Sequence, residues 1–485
     1  MDEADSRSGG ATDSPSMGYA LSVRSQDPAE GTDANADGGA EQMDSFSLLK
    51  PLVTVTFTRE KFLDALKSRG LSDPLDLYRS FNARMAFDDN GRLVPIEPSF
   101  DIHSTKFAPA GAQEVPEMSD VPFTEDVAKI LGCHDVTGLS IQRADLLQRA
   151  VTDFHRIASD DSTTSADKAR HVMRIVDALG DPELTQMAPQ VTSAIIDGHD
   201  LPDLPFHATR NLEAADEEAR SHLEMGDAEG AIAVAEEAVA RMDAFFATTD
   251  GVPRYFNSYA ERVVYNRLFA MHGEKVVLIP DKLFGLHMAL ANFIAQVKSP
   301  KDALPHMNML VKYAPAYSTA HMLLATQMAV AQDWDSVYAA SLNALRVSLA
   351  RDDASYAYYR LAYAEWMRDR FDVAAACYLL SLQINHGQMP PAQQELQQLV
   401  ANAVSQNIPV PRSVDQAVQV LRSEGIPVWP HMELTDIVRD AERVCVDMGL
   451  FIPGANLATA SSRMNDTSVT RMGAEDWQFR QSLGA

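Results

Sequence analysis

Cysteine is nearly missing from this chain: its 485 residues include three, Cys133, Cys377 and Cys445, far apart and without paired spacing. That excludes a disulfide framework or a paired-cysteine metal site and predicts reduced, structural thiols. Positive charge is scarce as well. Against 68 Asp and Glu stand 41 Lys and Arg, a formal charge of −27, and the basic residues occur as isolated pairs rather than clusters. Such a surface repels phosphate backbones and anionic lipid, so neither nucleic acid nor a membrane is an expected partner. Nowhere do about eighteen apolar residues follow one another, the length a membrane span needs. The opening Met1-Asp2-Glu3-Ala4-Asp5 has no basic or apolar leader character, which predicts a soluble cytoplasmic chain.

Motifs of catalysis are also lacking. The sequence holds no glycine-rich phosphate loop, no nucleophile elbow, no zinc-protease helix and no Cys-x-x-Cys pair, and the expectation is a protein that is not an enzyme, with no cofactor and no metal. Cys133-His134-Asp135 is the one reactive-looking cluster, but neighbours on a helix end point in different directions. It reads as a helix C-terminus whose histidine stabilises carbonyls. His287 and His321 fall one repeat apart, on neighbouring helices, and read as packing histidines with one ring nitrogen hydrogen-bonded.

What the chain does contain is self-similarity. Phe284–Tyr317, Ser318–Arg351 and Ser355–Gln388 read as three copies of one helix-turn-helix, with Asp352, Asp353 and Ala354 between the second and third. Their seventh place holds Leu290, Leu324 and Leu361. The eighth holds Ala291, Ala325 and Ala362, and the twentieth Ala303, Val337 and Ala374, small side chains where two helices approach closely. Lys298-Ser299-Pro300, Gln332-Asp333-Trp334 and Asp369-Arg370-Phe371 separate runs too short to bury a face alone, so neighbours must stack to complete a core.

At these residues the chain resembles the tetratricopeptide repeat (TPR) family. The family's aromatic at the fourth place is His287, His321 and Tyr358 here, and its terminal proline survives as Pro315. The resemblance implies an all-α, TPR-like helix-turn-helix solenoid, a right-handed superhelix whose concave face is lined by first helices. Carried over place by place, that face holds Met288, Asn292, Met322, Leu323, Thr326, Tyr356, Tyr359, Arg360, Tyr363 and Trp366, with Ala289, Ala295, Gln296, Thr319, Ala329 and Met367 beside them. Methionine adapts to many shapes, and tyrosine and tryptophan give large contact area at low entropic cost. Two readings of these positions stand together: a peptide-binding groove, or a surface packed on its own flanking helices. Of the carboxylate clamp found in some family members, Asn292 and Arg360 alone match. An apolar helix, or an extended segment with one acidic group for Arg360, therefore fits better than a chaperone tail.

Around the array the chain divides by composition. Residues 1–45 carry ten acidic residues against Arg7 and Arg24 and predict a disordered acidic tail. Residues 48–96 read as a small N-terminal α/β element: a strand around Val53–Phe57, a helix capped by Thr58, and a hairpin of Met85–Phe87 with Leu93–Ile96 across Asp88-Asp89-Asn90-Gly91. A proline-punctuated linker spans 97–122. Degenerate helical repeats fill 123–245, with caps at Thr124 and Ser165 and a last hairpin at 212–245. Residues 246–283 predict a helix over Pro253–Met271 and an extended connector at Val276–Pro280. Capping helices follow at 389–463, among them Glu433–Met448 closing the solenoid's apolar end, and a flexible tail at 464–485. These features predict a non-catalytic protein–protein interaction scaffold or adaptor. A ligand- or peptide-responsive sensor is the alternative, and an enzyme based on the unassigned 48–160 region a third.

Overall fold

The computed structural model describes residues 85–87, 93–95, 122–447 and 450–464. The acidic tail, the expected 97–122 linker apart from its last residue, the Val53–Phe57 strand with its helix, and residues 465–485 lie outside these. Met85–Phe87 (β1) pairs antiparallel with Leu93–Pro95 (β2), Met85 opposite Pro95, as the hairpin pattern predicts.

From Phe123 on, the described residues are helical apart from short strands and turns. Glu125–Leu131 (α1) starts at Thr124, whose side chain accepts from Val127 N, and a 3-10 turn follows at Val136–Leu139. Arg143–Ser159 (α2), Ser165–Leu179 (α3) and Pro182–Asp197 (α4) come next. The cap of α3 is Thr164 rather than the expected Ser165. Its hydroxyl bonds both the amide and the carboxylate of Asp167, a reciprocal arrangement that moves the boundary one residue back.

Ala208–Glu224 (α5) and Ala228–Phe246 (α6) form the hairpin expected at 212–245, burying Ala231, Ala235 and Ala238. The array itself is Asp281–Val297 (α8) with Pro300–Tyr313 (α9), Ser318–Val330 (α10) with Trp334–Val347 (α11), and Arg351–Met367 (α12) with Phe371–Ile384 (α13). Each pair packs on the next, and α5 and α6 pack directly on α8. Ala291, Ala325, Ala362, Ala303 and Ala374 are fully buried, as close helix approach requires. Three turns share a left-handed residue: Gly226, Gln332 and Asp369, at the fifteenth place of their copies, have φ of 78°, 58° and 60°, whereas Lys298 at that place in the first copy of the array has φ of −116°.

Between α6 and α8 the structure departs from the predicted Pro253–Met271 helix. Val252–Arg254 is a strand (β3), Tyr259–Leu268 the helix (α7), and Val276–Leu278 a second strand (β4) parallel to the first. Pro253 occupies the strand, and Ser258 caps the helix through Glu261 N. Parallel strands need a crossover, and α7 supplies it. Gly251 allows the approach: a Cβ there would lie 2.7 Å from the Lys275 carbonyl oxygen. Leu268, at the end of α7, is exposed.

Past the array come Pro390–Ser405 (α14) and Val414–Ser423 (α15), the latter capped by Ser413, whose hydroxyl accepts from Gln416 N. Met432–Asp447 (α16) and Phe451–Met464 (α17) correct the expectation for the C-terminal end. Instead of covering the last repeat, they pack on each other and reach back to α7, and α16 also meets α1. Leu434, Val438, Ala441, Cys445 and Leu457 share one core with Leu131, Phe154, Val263 and Val264, and Tyr259 N donates to Asn456 Oδ1 at 3.0 Å.

This joint buries carboxylates. Glu261 is 7% exposed, accepts from Asn257 N at 2.9 Å, and is pushed up to about 8 by burial. A raised carboxyl keeps its proton in the folded chain while the unfolded chain releases it near 4.5, so its contribution falls as pH rises from about 4.5 to 8. Glu261→Gln keeps an oxygen for Asn257 and removes the charge. Its stability relative to wild type is expected to climb across that window in denaturation series at several pH values. A constant difference would show that Glu261 does not titrate there.

Candidate functional site

Helix α12 presents Tyr356, Tyr359, Arg360, Tyr363 and Trp366 at helical spacing on one half-buried face, with its other face fully buried by Ala357, Tyr358, Leu361 and Ala362. Tyr356 lies beside α10, its hydroxyl 3.4 Å from Thr326 Oγ1. The Arg360 guanidinium donates to the same hydroxyl through Nε at 3.0 Å and Nη2 at 2.8 Å. It also lies 5.2 Å and 5.6 Å from the Tyr356 and Tyr359 ring centres. Glu395 of α14 closes this side, accepting from the Tyr359 hydroxyl at 3.0 Å and from the Tyr378 hydroxyl of α13 at 2.6 Å. Burial holds its carboxyl above the usual range, against those hydrogen bonds and the Arg360 charge.

Toward the C-terminus of α12 the aromatics continue. Tyr363 touches two tryptophans, Trp334 of α11 at 5.4 Å and 56°, and Trp366 at 6.1 Å and 71°. Beyond them the Arg368 guanidinium sits 4.3 Å over the Tyr338 ring and pairs with Asp335 at 3.0 Å. Burial pushes the Tyr363 hydroxyl up, with the Glu395 charge adding to it.

The other residues of the expected groove do not join this surface equally. Met322 and Leu323 are 6% and 7% exposed, in the cores that join α10 to its neighbours on either side. A middle first helix is flanked by packed helices on both sides, which narrows its free face; these two positions are packing, not groove. Thr326 remains half-buried beside Tyr356, and Met288 and Asn292 lie half-buried on α8. Trp334, Tyr338 and Glu395 belong to the surface without having been expected. Trp334 is the first residue of a second helix, Tyr338 lies further along that helix and Glu395 outside the repeat register, so no first-helix periodicity marked them.

The histidines resolve differently from the sequence expectation. His287 meets His306 of α9, not His321: their Nδ1 atoms are 3.1 Å apart, and His287 Nε2 is 3.1 Å from Asp243 Oδ1, which also accepts from the Tyr313 hydroxyl at 2.6 Å. The carboxylate requires N–H at His287 Nε2, so His306 donates across the pair when both rings are neutral. His321 bonds the Pro315 carbonyl, as a packing histidine does. No group of His, Cys, Asp and Glu suited to a metal occurs among the described residues. Cys133 follows α1, with its thiol pushed up to about 12 by burial, so it is no ready nucleophile.

One basic grouping, hidden by sequence separation, does form. Arg156, Lys168, His171 and Arg174 line an open hollow of about 630 Å³ between α2 and α3, but Asp160 and Asp167 line it too, so its charge is mixed. No helix among the described residues is long and apolar enough to cross a membrane. The α12 face therefore concentrates the aromatic and charged groups suited to holding a ligand. No family model, curated protein or solved structure matches the chain.

Proposed function

We propose that the chain is a non-catalytic, tetratricopeptide-like adaptor that holds a peptide segment of a protein partner across the α12 face. The observation that carries this reading is the half-buried tyrosine and tryptophan set around Arg360 and Glu395, composed as interface anchors are: large rings with polar tips at low entropic cost. Regular packing of helix pairs provides the rigid support that such a surface needs.

The test is affinity capture from lysate with the full chain, wild type against Arg360→Ala combined with Tyr363→Ala. Arg346→Ala, exposed on the second helix α11, is the control. Circular dichroism establishes equal helicity first. Anchors of this kind carry at least about 2 kcal/mol each, about thirtyfold per residue, so the double variant is expected to weaken retention of a partner by about several hundredfold if the two add, while the control keeps it. Equal retention by all three proteins would remove the α12 face from consideration.

A further inference from the structure

Resting on that reading, we propose that the α12 face recognises a basic peptide, seating a lysine or arginine side chain against the rings of Trp334, Tyr363 and Trp366. Tyr363 is the middle ring, touching one tryptophan at 56° and the other at 71°. Rings so inclined do not stack face to face, and each leaves part of its electron-rich face available to a cation. The Tyr363 hydroxyl and the Trp366 indole N–H, both on half-buried residues, have no hydrogen-bond partner among the described residues. They can bond the backbone of an extended peptide whose side chain lies between the rings.

The same surface shows the chemistry twice over with the chain's own arginines. Arg368 lies over Tyr338 with Glu365 and Asp335 as its counter-ions, and Arg360 lies beside Tyr356 and Tyr359 near Glu395. The Trp334, Tyr363 and Trp366 set has the aromatic faces and the nearby Glu395 charge, but no cation of the chain over its rings among the described residues. Charge complementarity points the same way. A chain at −27 attracts basic partners from a distance and repels acidic ones. Arg360, which the sequence reserved for an acidic group, is engaged by Tyr356, and a carboxylate approaching it would meet Glu395.

The test is calorimetry, with tryptophan emission as a second signal, on the full chain against blocked trilysine, triarginine and triglutamate peptides. The two basic peptides are expected to bind saturably and shift the emission, and triglutamate not to bind. Tyr363→Leu is expected to weaken basic-peptide binding about tenfold and Tyr363→Phe to restore it to within about twofold, because the ring rather than the hydroxyl attracts the cation. Trp334→Phe, a milder change whose folding is checked by circular dichroism, is expected to weaken binding less than Tyr363→Leu. Equal binding by wild type and a folded Tyr363→Leu would mean diffuse attraction to an acidic surface, and would overturn the proposal. So would absence of basic-peptide binding. Triglutamate bound by wild type and lost in Arg360→Ala would overturn the cation while leaving the α12 groove standing; failure of the groove itself is read from the lysate capture.

Discussion

Removal of residues 431–485 is expected to unfold helices that lie far upstream, while leaving the array helical. Leu434, Val438, Ala441, Cys445, Leu450 and Leu457 are all fully buried, and they pack in the core that holds Leu131 of α1 and Val263 and Val264 of α7. Truncation bares that apolar surface and strips Tyr259 N of its Asn456 acceptor. Exposed apolar surface of this kind promotes aggregation or dye binding. The predicted signature is loss of amide protection in α1 and α7, with α12 and α13 still protected in hydrogen exchange. A gentler version is Leu434→Ala. Deleting a buried leucine side chain costs about 2–5 kcal/mol depending on how far the cavity collapses, and the loss should appear in α7 as well as in α16. Full protection of α7 in the truncated chain would show that the joint is not what holds it.

The second large effect is expected from Arg143→Ala. Arg143 bonds Asp181 through Nε at 2.6 Å and Nη2 at 2.9 Å, and Glu183 through Nη2 at 2.7 Å, with side-chain exposures of 4%, 7% and 10%. The two carboxylates have further duties. Asp181 caps α4 through Glu183 N and Leu184 N, and Glu183 accepts from His207 N and Ala208 N where α5 begins. The guanidinium also lies 5.4 Å from the Phe246 ring centre on α6. Its loss leaves two buried carboxylates without a cation, an arrangement that costs about 3–5 kcal/mol. A stack of this kind need not unfold in one step, so hydrogen exchange resolved by helix is the measurement of choice. Protection should fall in α2, α4 and α5 and persist in α12 and α13. An unchanged profile would mean that water or neighbouring groups replace the arginine.

The periodic part of the molecule was legible in its sequence, and the joints were not. Alanines such as Ala325 and Ala362 announced close helix contacts because backbone approach leaves few side chains to choose from, and Gln332-Asp333-Trp334 and Asp369-Arg370-Phe371 announced turns between runs too short to stand alone. Nothing local marked α16 and α17 as partners of α7, because the match is between two amphipathic faces far apart in the chain. Strand β3 was missed for a related reason: Val252–Arg254 is too short to show alternation, and its partner lies beyond a helix. Within the candidate site, α12 supplied the legible residues because one helix face repeats. Met322 and Leu323 sit at equally regular places, but their burial depends on the neighbours of α10, which a family place number does not encode.

The β3–α7–β4 excursion leaves the helical stack and returns to the same spot, with Val252 N bonded to the Lys275 carbonyl and Ile279 N to that of Arg254. Because its two ends meet, α8 packs directly on α5 and α6 despite the intervening segment. The excursion thus acts as a side branch of the stack, closed at its base by two short parallel strands. What it carries outward is α7, the helix on which the C-terminal pair lands, so a linear stack has acquired a lateral mooring at the cost of one short loop closure.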